Sequence, residues 1–227
     1  MVAKKYWLKK LTDAGLRRAW QRARTPKAAR AGSGCVSSLA IDGAKTALVV
    51  IDLQKGITSM DAQPNPTSTV VANAALLAGA FRERGMPVYL VRVSQSRGTS
   101  LSVLSDTSFP SRGEMPPDWA DIVPELGPAP SDVVITKRQW GAFYGTDLEL
   151  RLRRGSTDSI VLCGIATTYG VESTARFAYE YGFQQLFAED AMSDRSADAH
   201  RNAVEFVLKR IGRVRKTQEI LDALPRP

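Results

Sequence analysis

Two kinds of apolar spacing alternate along the chain from Lys45 onward. Short runs that are apolar at nearly every position, and rich in β-branched residues, occur at Thr46–Asp52, Pro87–Val93, Asp132–Thr136, Ser159–Cys163 and Gln185–Glu189. Runs of this kind predict buried parallel strands. Between them the apolar positions move to helical spacing. Val70, Ala74, Leu77, Ala78 and Phe81 share one helix face, and Gly85 and Pro87 stop that helix. Val171, Ala175 and Ala178 repeat until Gly182; Val204, Val207, Leu208 and Ile211 form a third stripe. A last helix, capped by Thr217, is predicted over Glu219–Leu224. Strand–helix alternation with right-handed crossovers predicts a parallel sheet covered by helices on both faces.

The stretch Ser94–Ser131 breaks this rhythm with Pro110, Pro116, Pro117, Pro124, Pro128 and Pro130. A connection of that length after a strand borders the ligand site in open α/β folds. No apolar run approaches the ~18–20 residues of a membrane span.

Charge divides the chain in two. Residues 1–35 hold ten Lys/Arg against the single acid Asp13, and the rest holds 21 basic against 22 acidic groups. The pI near 9.7 therefore belongs to the leader, and the body is not a nucleic-acid binder by charge. We divide the chain into a basic extension, residues 1–40, and a folded domain, residues 41–227. The extension reads as a solvated tail, dispensable for folding, with the functional chain starting at Val36. The competing reading is a basic amphipathic helix that meets RNA or anionic lipid. Two cysteines make no disulfide framework, and the expected setting is the cytoplasm.

Ligands in such folds bind beyond the carboxyl ends of the strands. Those ends supply Asp52 and Gln54, then Arg92 and Gln95, then Lys137. After the fourth strand, Gly164–Gly170 leads into a helix whose first N–H groups suit an anion. An acid, a lysine and a helix start at neighbouring strand ends suit acid–base chemistry, and an ordinary ion pair is the structural alternative.

The segments ALVVIDLQKGI, ITKRQWGAFYGTDLELRLRRG, VLCGIATTYGVESTARFAYEYGF and AEDAMSDRSADAH, in this order, resemble the isochorismatase-like hydrolase superfamily over about Ile41 to Leu224. The resemblance implies a Rossmann-like three-layer α/β/α sandwich around a parallel sheet, assembled as a homodimer or larger homo-oligomer and acting on a small molecule, with Asp52 and Lys137 as the catalytic pair. It departs at one position. Cysteine hydrolases of the superfamily resemble G-[IV]-A-T-x-x-C-V-E-S-T, and this chain carries Gly170 where the nucleophile would stand. Cys163 lies inside a strand run and reads as a buried hydrophobe. The variant with glycine resembles the true isochorismatases, which cleave a vinyl ether without a covalent intermediate. Asp52 would then be the acid and Lys137 its partner.

Gln54, Arg92, Gln95, Thr167, Tyr169, Gly170 and Val171 are expected to contact substrate. Trp140, Phe143 and Tyr144 either wall the pocket or pack a subunit interface. No cofactor and no metal are expected, since His200 is the only histidine and reads as a surface or capping group. The alternatives are a catalytically inactive ligand-binding or regulatory protein on the same scaffold and, behind it, a cysteine-type amidase.

Overall fold

A computed structural model of the chain describes residues 39–94, 103–107 and 115–226. Six strands form one sheet in the order β3-β2-β1-β4-β5-β6, with every neighbouring pair parallel. They are β1 (Thr46–Ile51), β2 (Val88–Val93), β3 (Val133–Lys137), β4 (Ser159–Ile165), β5 (Gln184–Ser193) and β6 (Arg213–Arg215). The helices are α1 (Lys55–Thr58), α2 (Thr67–Glu83), α3 (Leu148–Arg154), α4 (Glu172–Glu180), α5 (Ala197–Ala203), α6 (Lys209–Ile211) and α7 (Thr217–Ala223). This is the doubly wound α/β architecture expected from the alternating pattern. The strand order reverses between β1 and β4, which opens a crevice at their carboxyl ends.

The core follows from the all-apolar strands. β1 is buried at each of its six positions, because helices cover both faces of the sheet. On one side α2 packs on β1, β4 and β5, with α7 beside it. Its stripe Val70, Val71, Ala74, Leu77, Ala78 and Phe81 is buried. At roughly 1.5–3 kcal/mol for each large side chain removed from water, this face outweighs any intrinsic helix preference.

Three expectations need correction. β6 was not expected: two arginines in three residues carry no strand pattern, and pairing with β5 creates the element. The last helix is capped by Lys216, whose N–H donates to the Glu219 carboxylate at 2.8 Å. Thr217 is its first helical residue and spends its N–H and hydroxyl on Asp190 Oδ1. Lys137 closes β3 instead of following it, in register with Val93.

Candidate active site

β1 stops because Asp52 turns into the left-handed region, with φ at +53°. Aspartate tolerates that conformation better than most side chains. The Asp52 N–H still donates to Val91 O at 2.9 Å, and the Gln54 N–H doubles back to Asp52 O. The turn lifts the carboxyl group out of the strand and over the end of the sheet. There Lys137 Nζ donates to Asp52 Oδ2 at 2.8 Å, and also to Gln139 O at 3.1 Å. Asp52 is 6% exposed and Lys137 2%. Oδ1 of Asp52 is buried without a hydrogen-bond partner. Burial pushes the Asp52 carboxyl up to about 6, against the downward pull of Lys137. It is thus a carboxyl poised to change protonation near neutrality.

A wide turn of π type, Thr167–Val171, joins β4 to α4 across the crevice. Gly170 in this turn faces the pair. A Cβ there would lie 3.2 Å from Asp52 Oδ2, 2.7 Å from Ile51 Cγ2 and 3.6 Å from Trp140 O. The carboxyl is therefore approached by bare backbone. Two side chains, Asp194 and His200, and the carbonyl of Ser193 hold the turn from below. Thr168 donates its N–H and its hydroxyl to Asp194 Oδ2, each at 2.7 Å. Thr167 Oγ1 donates to Ser193 O at 3.0 Å and lies 2.8 Å from His200 Nδ1. With the hydroxyl proton directed at Ser193, His200 presents Nδ1–H to Thr167. Burial lowers the imidazole's pKa, so the ring is neutral.

This support corrects two expectations. His200 is buried, neither on the surface nor a cap. The helix start does not hold a row of waiting N–H groups: that of Thr168 is taken by Asp194, and those of Tyr169 and Val171 by Ala166 O. Asp194 had no assigned role in the sequence, and His200 only that of a surface or capping group. They reach the turn from 26 and 33 residues away, and the only local signal was an acid and a histidine within one motif.

The remaining candidates separate. Tyr169 stands edge-on to Trp140 with ring centroids 4.9 Å apart, and Trp140 is 53% exposed; this pair flanks the turn beside Gly170. Tyr144 is half exposed. Phe143 is buried against Tyr181 and Phe183 and belongs to the core, which removes it from the wall. Thr167 is fully buried, and its hydroxyl is engaged below the turn. Arg92 pairs with Thr136, to which its Nε donates at 3.1 Å. Alternation along the strand puts that pair on the sheet face opposite Val93 and Lys137. Gln54 is wholly buried and its carboxamide is spent on Val93 and Trp119, not on an open site. Gln95 lies outside the described residues. Cys163 is buried in β4 opposite Val50, and burial pushes its thiol up to about 12, which removes its nucleophilic form at neutral pH. Among the described residues no group of three or more His, Cys, Asp or Glu could hold a metal ion.

Residues 46–219 match the model of the isochorismatase domain. The chain belongs to the isochorismatase family. The isochorismatase family protein YecD of Escherichia coli O157:H7, itself described as uncharacterized, is 49% identical over 187 residues, covering 82% of this chain and all of YecD. Phenazine biosynthesis protein PhzD1 of Pseudomonas aeruginosa is 32% identical over 78% of this chain and 86% of its own length. Among solved structures, an isochorismatase family protein from Burkholderia thailandensis superposes with a TM-score of 0.78 at 43% identity, over 82% of this chain and 98% of that one. Isochorismatase-family proteins are hydrolases, and this chain is a hydrolase with the family's parallel-sheet fold. Among the described residues no helix is long and apolar enough to cross a membrane.

Proposed function

We propose that this isochorismatase-family protein hydrolyses a small vinyl ether of the isochorismate type through Asp52 and Lys137, without a covalent intermediate. The observation that carries the reading is the Asp52 carboxyl itself: one oxygen held by Lys137, the other buried and unpartnered, beside a glycine that has nothing to deprotonate. Oδ1 delivers a proton to the terminal carbon of the enol ether, and the carbon bearing oxygen becomes an oxocarbenium ion. Water adds to that cation and returns a proton to Asp52. The hemiketal then breaks into a ketone and an alcohol. Lys137 keeps the carboxyl oriented and stabilises the carboxylate left after proton transfer. Trp140 and Tyr169 offer aromatic surface to a flat, conjugated ring. The match to the isochorismatase domain favours this substrate class.

The reading includes a cytoplasmic homo-oligomer that needs no metal or cofactor, with residues 1–35 dispensable for folding and catalysis. The test is turnover of isochorismate by wild type and by Asp52→Asn. Turnover by wild type, lost in Asp52→Asn, supports the reading. Two equally inert proteins that still gain thermal stability from the compound would make this a binding protein.

A further inference from the structure

Asp52 and Lys137 do not sit on neighbouring strands. β2 runs between β1 and β3, and adjacent strands lie about 4.8 Å apart. Two side chains that meet at 2.8 Å across it depend on how both outer strands are registered on β2. On the β3 side the ladder continues to the level of the site: Lys137 pairs with Val93, and the Ser94 N–H donates to Lys137 O at 3.1 Å. On the β1 side it stops one step earlier, because regular pairing ends at Ile51 with Val91 and Asp52 turns away.

A side chain fills that gap. The Val93 N–H donates to Gln54 Oε1 at 2.7 Å, and Gln54 Nε2 donates to Val93 O at 2.9 Å. One acceptor and one donor meet one residue's donor and acceptor, as the C=O and the N–H flanking one residue of a continuing parallel β1 would. The same Nε2 lies 3.3 Å from Trp119 O. We propose that Gln54 is a positioning residue: its carboxamide replaces the missing rung between β1 and β2 and so holds the Asp52 carboxyl within reach of Lys137. This inference deepens the reading of Asp52 and Lys137 as the working pair.

The residue type fits the task. A carboxylate has no donor for Val93 O, asparagine is one carbon short, and an aliphatic side chain would leave both Val93 groups buried and unpaired. Among the described residues the charged groups around this junction are Lys137, which faces Asp52 from β3, Arg138, whose guanidinium donates to Ser94 O at 3.1 Å, Arg92, which donates to Thr136, and Lys55 on α1, which is exposed and paired with Asp118 and Asp121.

The test needs no substrate, so it stands apart from the fate of the hydrolase reading. Asp52 is titrated by carboxyl carbon NMR in the full-length wild type and in Gln54→Leu, with hydrogen exchange measured at Val93 and Leu90. In Gln54→Leu the Val93 amide should exchange about tenfold faster or more, the effect of one lost hydrogen bond, while Leu90 keeps its protection. The Asp52 carboxyl should bind its proton at least about threefold more tightly, because Lys137 is no longer held against it. Faster exchange at Val93 with an Asp52 titration that stays or falls would make Gln54 a structural residue only. Unchanged exchange at Val93 would remove the rung itself, and either result overturns the proposal. Gln54→Met, which keeps the length of the side chain, takes the same measurements if Gln54→Leu does not fold.

Discussion

Lys137 and Asp52 meet at 2.8 Å although a whole strand separates the strands that carry them. Among the described residues neither group has another charged partner in this buried setting, and the carboxyl's energetics are set by desolvation and by Lys137. Breaking such a pair from one side leaves a buried charge, which costs far more than the pair itself contributes.

Asp52→Asn should lower kcat/KM by about 10²–10⁴, the usual contribution of a positioned acid. Asparagine keeps the shape and tolerates the left-handed backbone, so the fold is retained with stability reduced by the buried charge of Lys137. Steady-state kinetics with circular dichroism checks this. Activity within a factor of two of wild type would remove Asp52 from the chemistry.

The carboxyl's folded-state pKa of about 6 lies above the 3.8 of an unperturbed aspartate, which sets the sign of two pH effects. Between those values the folded protein holds a proton that the unfolded chain has lost. Stability therefore falls as pH rises from 3.8 to about 6 and then levels off, by about 3 kcal/mol in total from this group. Denaturant titrations against Asp52→Asn at pH 4, 5, 6 and 7 should show wild type losing ground across this window. In kinetics, kcat/KM should decline as pH rises above about 6, because the acid form of the free enzyme is then depleted.

Gly170→Ala should destabilise the protein by about 1–3 kcal/mol, since its Cβ meets Ile51 Cγ2 at 2.7 Å and crowds Asp52 Oδ2 at 3.2 Å. The cost should shrink when Ile51 is shortened to alanine in the same chain, because the two changes share one space. A double-mutant cycle by chemical denaturation measures that coupling. Additive effects would mean that Ile51 does not define the space at position 170.

His200→Phe should loosen the Thr167–Val171 turn. It removes the Nδ1–H that Thr167 receives, at a cost of about 1–3 kcal/mol for a buried group left unpaired. Hydrogen exchange at Tyr169 and Val171 should quicken more than in the middle of α4. The thiol of Cys163, buried and pushed up to about 12, should resist iodoacetamide in the native protein and react only on unfolding. In a Cys35→Ser background that makes alkylation a direct report of global opening.

Periodicity along the chain was enough for β1 to β5, for the buried stripes of α2 and α4 and for a parallel sheet, because buried parallel strands are apolar at every position and their crossover helices at every third or fourth. The same pattern ends abruptly where β1 and β3 meet Asp52 and Lys137, and a charge at the end of an apolar strand is visible in one dimension. β6 was not visible, since its three residues become a strand only by pairing with β5. Nor could local pattern assign Gln54, Thr167, Asp194 and His200 their places. Gln54 looked like a ligand contact and is a rung of the sheet; His200 looked exposed and is a buried support. Burial and hydrogen-bond partners at separations of 26 to 39 residues depend on which elements pack together. The sequence by itself determined the elements and the charged pair at their ends. Only the tertiary structure decided which polar groups stand without a partner at the strand ends and which hold the backbone there, because the same amide or imidazole serves either role according to what surrounds it.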